Sequence, residues 1–290
     1  MPRTIEEGFN EFLTKLTPTN AETAAAKSHR ASIESCLKTY YGLNRFFRIG
    51  SFGNGTSISG YSDIDYLASI PTNSLKANSA YSLKLIRDTL DARFPYTGVK
   101  VSSPAIVLPF GTVRSETTEV VPGDFIKKDG SFYAYDIADG DGGWMRASPD
   151  AHIAYVRSID ESLYRRVKPL IRLVKAWKYF RDVPISSFYL ELRVTKYASE
   201  EKSIIYDIDL KNVLCMLRRI GLANIQDPMG VSGYISACKT TVQLEDALSK
   251  LDTAAIRAEK AREASVAKRF YEAFEYWRLL YNNQFPTYYF

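Results

Sequence analysis

The sequence predicts an α+β protein, with a mixed sheet and flanking helices in its first half and a helical lobe in its second. Three observations carry this. Short apolar runs punctuated by Gly98, Pro109, Gly111 and Pro122 recur between residues 99 and 137, the pattern of strands between turns. Beyond the Gly-rich loop at residues 139–143, helical periodicity dominates. Between residues 50 and 71 a Gly-rich turn feeds directly into an apolar strand, GSFGNGTSISGYSDIDYLASIP. The expected division is residues 1–145, a sheet lobe with its long N-terminal helix, and residues 146–290, a helical lobe. A chain of 290 residues is long enough for one large domain or two packed lobes.

The elements follow in order. Ile5, Phe9, Phe12 and Leu16 recur at helical spacing, and Pro18 closes that segment. A long Ala-rich helix then starts near Asn20 and ends at Gly42, with Ile33, Leu37 and Tyr40 on its apolar face. Residues 81–94 form an amphipathic helix with Leu85, Ile86 and Leu90 on one side. Strands are expected at 99–101, 105–110, 119–121 and 131–137. Helices are expected at about 151–181, kinked or restarted at Pro169, then at 186–197, 210–220 and 240–281. The loop at 139–143 lacks the ligand ladder of a calcium loop and is expected to be a turn. The aromatic tail at residues 285–290 is expected to pack back onto the last helix.

Composition narrows the chemistry. A net charge of +5 suits a pocket for anionic ligands but lacks the dense Lys/Arg blocks of a dedicated nucleic-acid binder. No run approaches a membrane span, and the N-terminus shows no signal-peptide pattern. Cys36, Cys215 and Cys238 have no metal or redox spacing, and His29 and His152 are too few for a zinc site. The chain reads as soluble and cytoplasmic.

The run at 50–71 carries the most chemistry. Asp63 and Asp65 are two apart at the mouth of a strand, so they emerge on one face. Two crowded carboxylates are stabilised by a divalent cation between them. Upstream, Gly50, Gly53 and Gly55 with Ser51, Thr56 and Ser57 allow backbone to approach a polyphosphate closely. Together these point to nucleotide-dependent phosphoryl chemistry. The array resembles the nucleotidyltransferase superfamily built on the polymerase-β palm, whose metal chemistry takes a third carboxylate from a neighbouring strand. Glu119, in TTEVVP, is the candidate; Glu116 has the wrong parity and is expected to be a solvated charge. The family more often uses Asp there, and Glu119 reaches one methylene further.

In the helical half, LIRLVKAWKYF gives Lys175 a mount of apolar residues. Read alone, Lys175 is a solvated charge. Pro184 and the pair Ser186–Ser187 then open a helix whose N-terminus suits an anion. Phe188 and Tyr189 are core aromatics unless one offers its face to a base. Lys-x-Trp followed by Ser-Phe-Tyr-Leu-Glu, with GGWMRASPDAH at 142–152, resembles the branch holding 2′-5′-oligoadenylate synthase, cGAS and the bacterial cGAS/DncV-like nucleotidyltransferases. Compactness and the lack of a zinc-binding insertion favour the bacterial group.

The resemblance implies a polymerase-β-like palm with a helical lobe completing a nucleotide cleft. It implies two Mg²⁺ ions, replaceable by Mn²⁺, on Asp63, Asp65 and Glu119. Gly50 and Ser51 with Lys175 and Ser187 would hold the donor triphosphate, and Phe188 would stack on a base. The implied products are cyclic di- or trinucleotides made from ATP or other NTPs as antiphage second messengers, with an operon-encoded effector and room for a regulatory partner. Residues 226–230, QDPMG, resemble a family stretch bordering the cleft but carry no assigned role. Other readings stay open: a linear-product or RNA-tailing enzyme, a protein-modifying nucleotidyltransferase, and a degenerate nucleotide-binding scaffold. Which bases are joined, the linkage and the ring size have no readable code in the sequence.

Overall fold

The computed structural model describes residues 2–111, 117–129 and 132–289, without the side chains of residues 20–28, 127 and 129. The chain divides into two compact units, one of residues 18–155 with 229–233 and one of residues 1–17, 156–228 and 234–290. The expected boundary lay ten residues earlier, at 145/146, with residues 1–17 in the sheet lobe.

Among the described residues the first unit is built on a seven-stranded mixed sheet. β1 (Arg45–Arg48) runs antiparallel to β2 (Ile64–Ile70), and β2 runs parallel to β5 (Thr117–Asp129). β3 (Lys100–Ser102) and β4 (Ala105–Pro109) continue antiparallel on the far side of β5, while β6 (Phe132–Ala138) and β7 (Trp144–Ala147) pair with its second half. Strand β5 is far longer than the three residues the sequence suggested, and it runs straight through Pro122. That proline falls where the second neighbour changes, from β4 ending its overlap opposite Val120 to β6 beginning opposite Gly123. A residue without an N–H is tolerated at such a gap in the ladder. Strand β7, in a segment the sequence left unassigned, pairs with β6.

Helices α2 (Asn20–Tyr41) and α4 (Ser79–Arg93) pack on one face of this sheet. Their Ile33, Leu37, Leu83, Ile86 and Leu90 join Ile64, Tyr66, Ala68, Ile70, Val120 and Leu108 in one core. Each such side chain removed from water contributes about 1.5–3 kcal/mol, so this face fixes the strand register. Asn78 caps α4 by accepting the Tyr81 N–H at 2.9 Å.

The second unit is helical. α1 (Ile5–Leu16) begins with a capping box between Thr4 and Glu7. It sits in this unit because its apolar side chains are spent there: Phe9 packs on Tyr206, Trp277 and Phe285, and Phe12 on Phe180 and Tyr281. The predicted helix at 151–181 is two, α5 (Pro149–Ser162) and α6 (Val167–Phe180). The break is not at Pro169, which lies in the first turn of α6 where its missing N–H has no intrahelical partner to lose. It falls at Tyr164 and Arg165, with φ of 55° and 61°. Asp160 stabilises the restart by accepting the N–H groups of Val167 (3.0 Å) and Lys168 (2.9 Å).

α7 (Ser187–Ala198) and α8 (Tyr206–Arg219) follow. The segment predicted as one helix from 240 to 281 is also two, α9 (Thr241–Val266) and α10 (Phe270–Leu280), separated at Lys268 with φ of 60°. The aromatic tail packs back on α10, with Tyr288 against Phe274, and also reaches the N-terminus, where the Tyr289 N–H donates to the Pro2 carbonyl at 3.0 Å. All three cysteines are free thiols, and Glu259, accepting from Cys215, helps burial push that thiol up to about 11. Among the described residues no helix is long and apolar enough to cross a membrane.

Candidate active site

The site begins where β1 hands the chain to the short helix α3 (Gly50–Asn54). Gly50 has φ of 56°, and a Cβ placed there would come within 2.2 Å of the Asp65 Oδ2. A Cβ on Gly53 would meet the Arg48 carbonyl oxygen at 2.9 Å. The sequence reading assigned these glycines to close approach of a polyphosphate. The structure gives each a reason inside the chain: Gly50 makes room for the Asp65 carboxylate, and Gly53 for the backbone of β1. The Ile49 N–H donates to the Asp65 carbonyl at 2.9 Å, which ties this turn to β2. Ser51 is buried, and its carbonyl accepts from the N–H groups of Gly55 and Thr56 to close α3.

The carboxylates follow from strand parity. Ile64 and Tyr66 are in the core facing α2 and α4, so Asp65 lies on the opposite face of β2, and Asp63 has the same parity one residue before the strand. On β5, Val120 joins that same core and Glu119 alternates away from it. The parallel register aligns Asp65 directly with Glu119. Both residues are half-buried, as is Asp63. The set is all carboxylate oxygen, the hard-donor chemistry that suits Mg²⁺. Among the described residues, no three His, Cys, Asp or Glu side chains are gathered into a group able to hold a metal ion. The fit therefore lies in donor type, in the Asp65–Glu119 register and in the space that Gly50 leaves for Asp65. Glu116 lies outside the described residues.

In the helical unit the sequence-predicted cation is placed differently. Lys175 is fully buried, and its Nζ donates to the Glu191 Oε1 at 2.8 Å, with side-chain exposures of 0% and 3%. Its neighbours on α6, Leu173, Val174, Ala176 and Trp177, are buried as well. Lys175 thus joins α6 to α7 through a buried ion pair. The lysine that meets the serine is one turn on: the Lys178 Nζ donates to the Ser187 Oγ at 2.7 Å, and the Tyr179 hydroxyl lies 3.3 Å from the same oxygen. Lys178 stands at i, i+3 from Lys175 on the same helix.

Ser186 is the N-cap of α7, accepting the Tyr189 N–H at 3.3 Å, which leaves Ser187 as the first helical residue. Tyr189 is core, with its hydroxyl donating to the Ala223 carbonyl at 2.8 Å. Phe188 is half-buried, so of the two aromatics it alone presents surface. In the stretch at 226–230, Asp227 is buried and Gly230 has φ of 69°.

Residues 3–159 match the family model of the Second Messenger Oligonucleotide or Dinucleotide Synthetase domain. No curated protein sequence matches the chain. Solved structures share the fold over nearly its full length. CdnC of Escherichia coli MS115-1 with ATP superposes at a TM-score of 0.75 and 17% identity, covering 97% of this chain and 98% of that one. The CdnC:HORMA-deltaN complex gives 0.74 at 16%, with 97% and 98% covered. The Vibrio cholerae cyclic AMP-GMP synthase DncV, in complex with the linear intermediate 5′ pppA(3′,5′)pG, gives 0.77 at 14%, covering 99% and 97%. With more than half of the chain matched by the family model, this protein belongs to the Second Messenger Oligonucleotide or Dinucleotide Synthetase family, the bacterial cGAS/DncV-like nucleotidyltransferase enzymes on a polymerase-β-like fold.

Proposed function

We propose that the chain joins NTPs into a cyclic di- or trinucleotide second messenger by metal-dependent nucleotidyl transfer, releasing pyrophosphate at each linkage. The observation that carries this is the alignment of Asp65 with Glu119 on adjacent parallel strands, with Asp63 at the same parity behind a Gly-Ser turn. Asp63, Asp65 and Glu119 would hold two Mg²⁺ ions, or Mn²⁺ in their place, which when bound supply charge neutralisation at the triphosphate and lower the pKa of the attacking hydroxyl. A ribose hydroxyl attacks the α-phosphorus in line, and Glu119 takes its proton. The Gly50–Ser51 turn holds the donor phosphates. Lys178 and Ser187 present a cation and a hydroxyl side by side at the start of α7, where the N-terminal N–H groups add to an anion site. Phe188 stacks on a base.

The linear intermediate bound to DncV supports a two-step course, one linkage and then closure. The complex of CdnC with HORMA-deltaN supports counting a regulatory protein among the partners, beside an operon-encoded effector that the product reaches. We place the enzyme in the bacterial cytoplasm, serving antiphage signalling of the CBASS type.

The test is direct. The protein is incubated with all four NTPs and Mg²⁺ or Mn²⁺, each nucleotide is then omitted in turn, and products are separated before and after phosphatase. A cyclic product survives phosphatase. A product that loses its terminal phosphates is linear and overturns the cyclisation step, and label carried on protein points to the protein-modifying reaction instead.

A further inference from the structure

Between α3 and β2 the chain closes a small loop with a side chain. Ile58 is 1% exposed, and its N–H donates to the Ser62 Oγ at 2.9 Å. The Ser62 N–H returns to the Ile58 carbonyl at 3.0 Å, and the Tyr61 N–H reaches the same oxygen at 3.1 Å. Gly60, at φ of 75°, lets the chain turn between them. Ser62 is only 2% exposed, so water is a poor substitute for its hydroxyl. A buried N–H left without an acceptor is destabilising. The residue after this clamp is Asp63, which precedes the β2–β5 ladder; the first aligned pair is Ile64 with Thr118. The geometry of the 58–62 loop therefore enters directly into where Asp63 points.

We infer that Ser62 is a positioning residue for Asp63: by closing the 58–62 loop, its hydroxyl sets the direction in which the Asp63 carboxylate meets a divalent cation beside Asp65. The inference rests on the metal reading proposed above. Displacing a catalytic group by about 1 Å costs on the order of 10²-fold in rate, so a loop tie one residue away has leverage.

The test measures Mn²⁺ binding to the full chain without nucleotide, by electron paramagnetic resonance. It compares the wild type with Ser62→Ala, Ser62→Thr, Asp63→Ala and the Ser62→Ala/Asp63→Ala double variant. Hydrogen exchange follows the peptide containing Ile58. Ser62→Ala is expected to weaken Mn²⁺ binding about tenfold, speed exchange at Ile58 and lower kcat more than it raises the NTP KM. Ser62→Thr, which keeps the hydroxyl, restores binding. In the Asp63→Ala background, Ser62→Ala adds no further loss, the signature of two residues acting through one ligand. Full Mn²⁺ affinity in Ser62→Ala, with loss in Asp63→Ala, overturns the positioning role and leaves the metal reading standing. Full affinity in Asp63→Ala overturns both. If Ser62→Ala fails to fold, Ser62→Cys, a weaker acceptor, carries the same measurement; partial loss supports the role and no loss overturns it.

Discussion

The sheet unit and the helical unit present their charged side chains under different rules. On β2 and β5 the side-chain period is two, so apolar Ile64, Tyr66 and Val120 decide at once that Asp65 and Glu119 face the other way. On α6 the period is 3.6 and the apolar residues are not confined to a stripe. Leu170, Ile171, Leu173, Val174, Ala176 and Trp177 are all buried, and so is Lys175 among them. A lysine enters such surroundings only with a matching acid, and Glu191 supplies it from α7. Lys178, one turn on, is only half-buried, and its Nζ donates to the Ser187 Oγ. A strand thus states in its own residues which face a charge takes. A helix packed on several sides leaves that to residues far along the chain.

The hardest blow to the strand half of this comparison is the double variant Asp63→Asn/Asp65→Asn. Product formation should fall by at least about 10³-fold, because the carboxylate pair is the proposed seat of charge neutralisation. The fold should persist, with a melting temperature close to that of the wild type, since both side chains are only half-buried and Asp65 lies on the face of β2 away from the core. Chromatography of products and calorimetry check the two outcomes, and near-normal synthesis would break the reading of β2. Next in size is Glu119→Gln. It should lower kcat by about 10²–10⁴-fold, the range for loss of a general base, with a smaller change in the NTP KM. Steady-state kinetics over a range of NTP concentrations separate the two effects. An unchanged kcat would show that register alignment with Asp65 is structural only.

The helical half is sharpened by separating its two lysines. Lys175→Ala removes the buried cation that donates to the Glu191 carboxylate, and should cost about 3–5 kcal/mol of stability. Replacing both partners, Lys175→Met with Glu191→Leu, should recover most of that loss, since a well-packed apolar pair is often no less stable than a buried ion pair. Denaturant titration reads both. Lys178→Ala should leave the denaturation midpoint nearly unmoved and raise the KM for every NTP by about 10–100-fold, the size of a charge-assisted hydrogen bond. If Lys175→Ala folds normally and raises KM while Lys178→Ala is silent, the assignment of the phosphate cation reverts one turn.

What was legible in the sequence follows the same division. The fold class and the Asp63–Asp65 parity could be read from local patterning bounded by Gly and Pro, whereas Glu119 as their neighbour followed from the family resemblance, with alternation deciding only its parity. The length of β5 could not, since Pro122 reads as a terminator, and its tolerance depends on β4 and β6 exchanging places beside it. The breaks between α5 and α6 and between α9 and α10 were invisible because Tyr164, Arg165 and Lys268 carry no helix-stopping side chain; their positive φ is imposed by packing and by caps such as Asp160. The membership of α1 in the helical unit was hidden for a related reason. Its apolar stripe is evident, but the aromatic partners that receive it lie near residues 180, 206, 277 and 285. The roles of Gly50 and Gly53 were half legible: a need for no Cβ was clear, while the neighbour that demands it was not.

The smallest effect concerns which bases are joined, and it tests whether Phe188 belongs to the site or to the packing. Tyr189 is fully buried and hydrogen-bonded to Ala223, whereas Phe188 beside it is half-buried at the second position of α7, next to Ser187. Stacking on an aromatic face is worth about 1–3 kcal/mol per base and differs among bases. Phe188→Ala should therefore change the ratio of products several-fold when all four NTPs compete, with little change in the denaturation midpoint. Phe188→Tyr, which keeps the ring, should restore the wild-type ratio. Lys178→Ala should not shift this ratio, because it acts on phosphate, which all four nucleotides share. Product ratios from competition assays make the distinction. If Phe188→Ala scales every product equally while Lys178→Ala changes the ratio, then the base contact lies elsewhere and the helical half of the comparison must be redrawn.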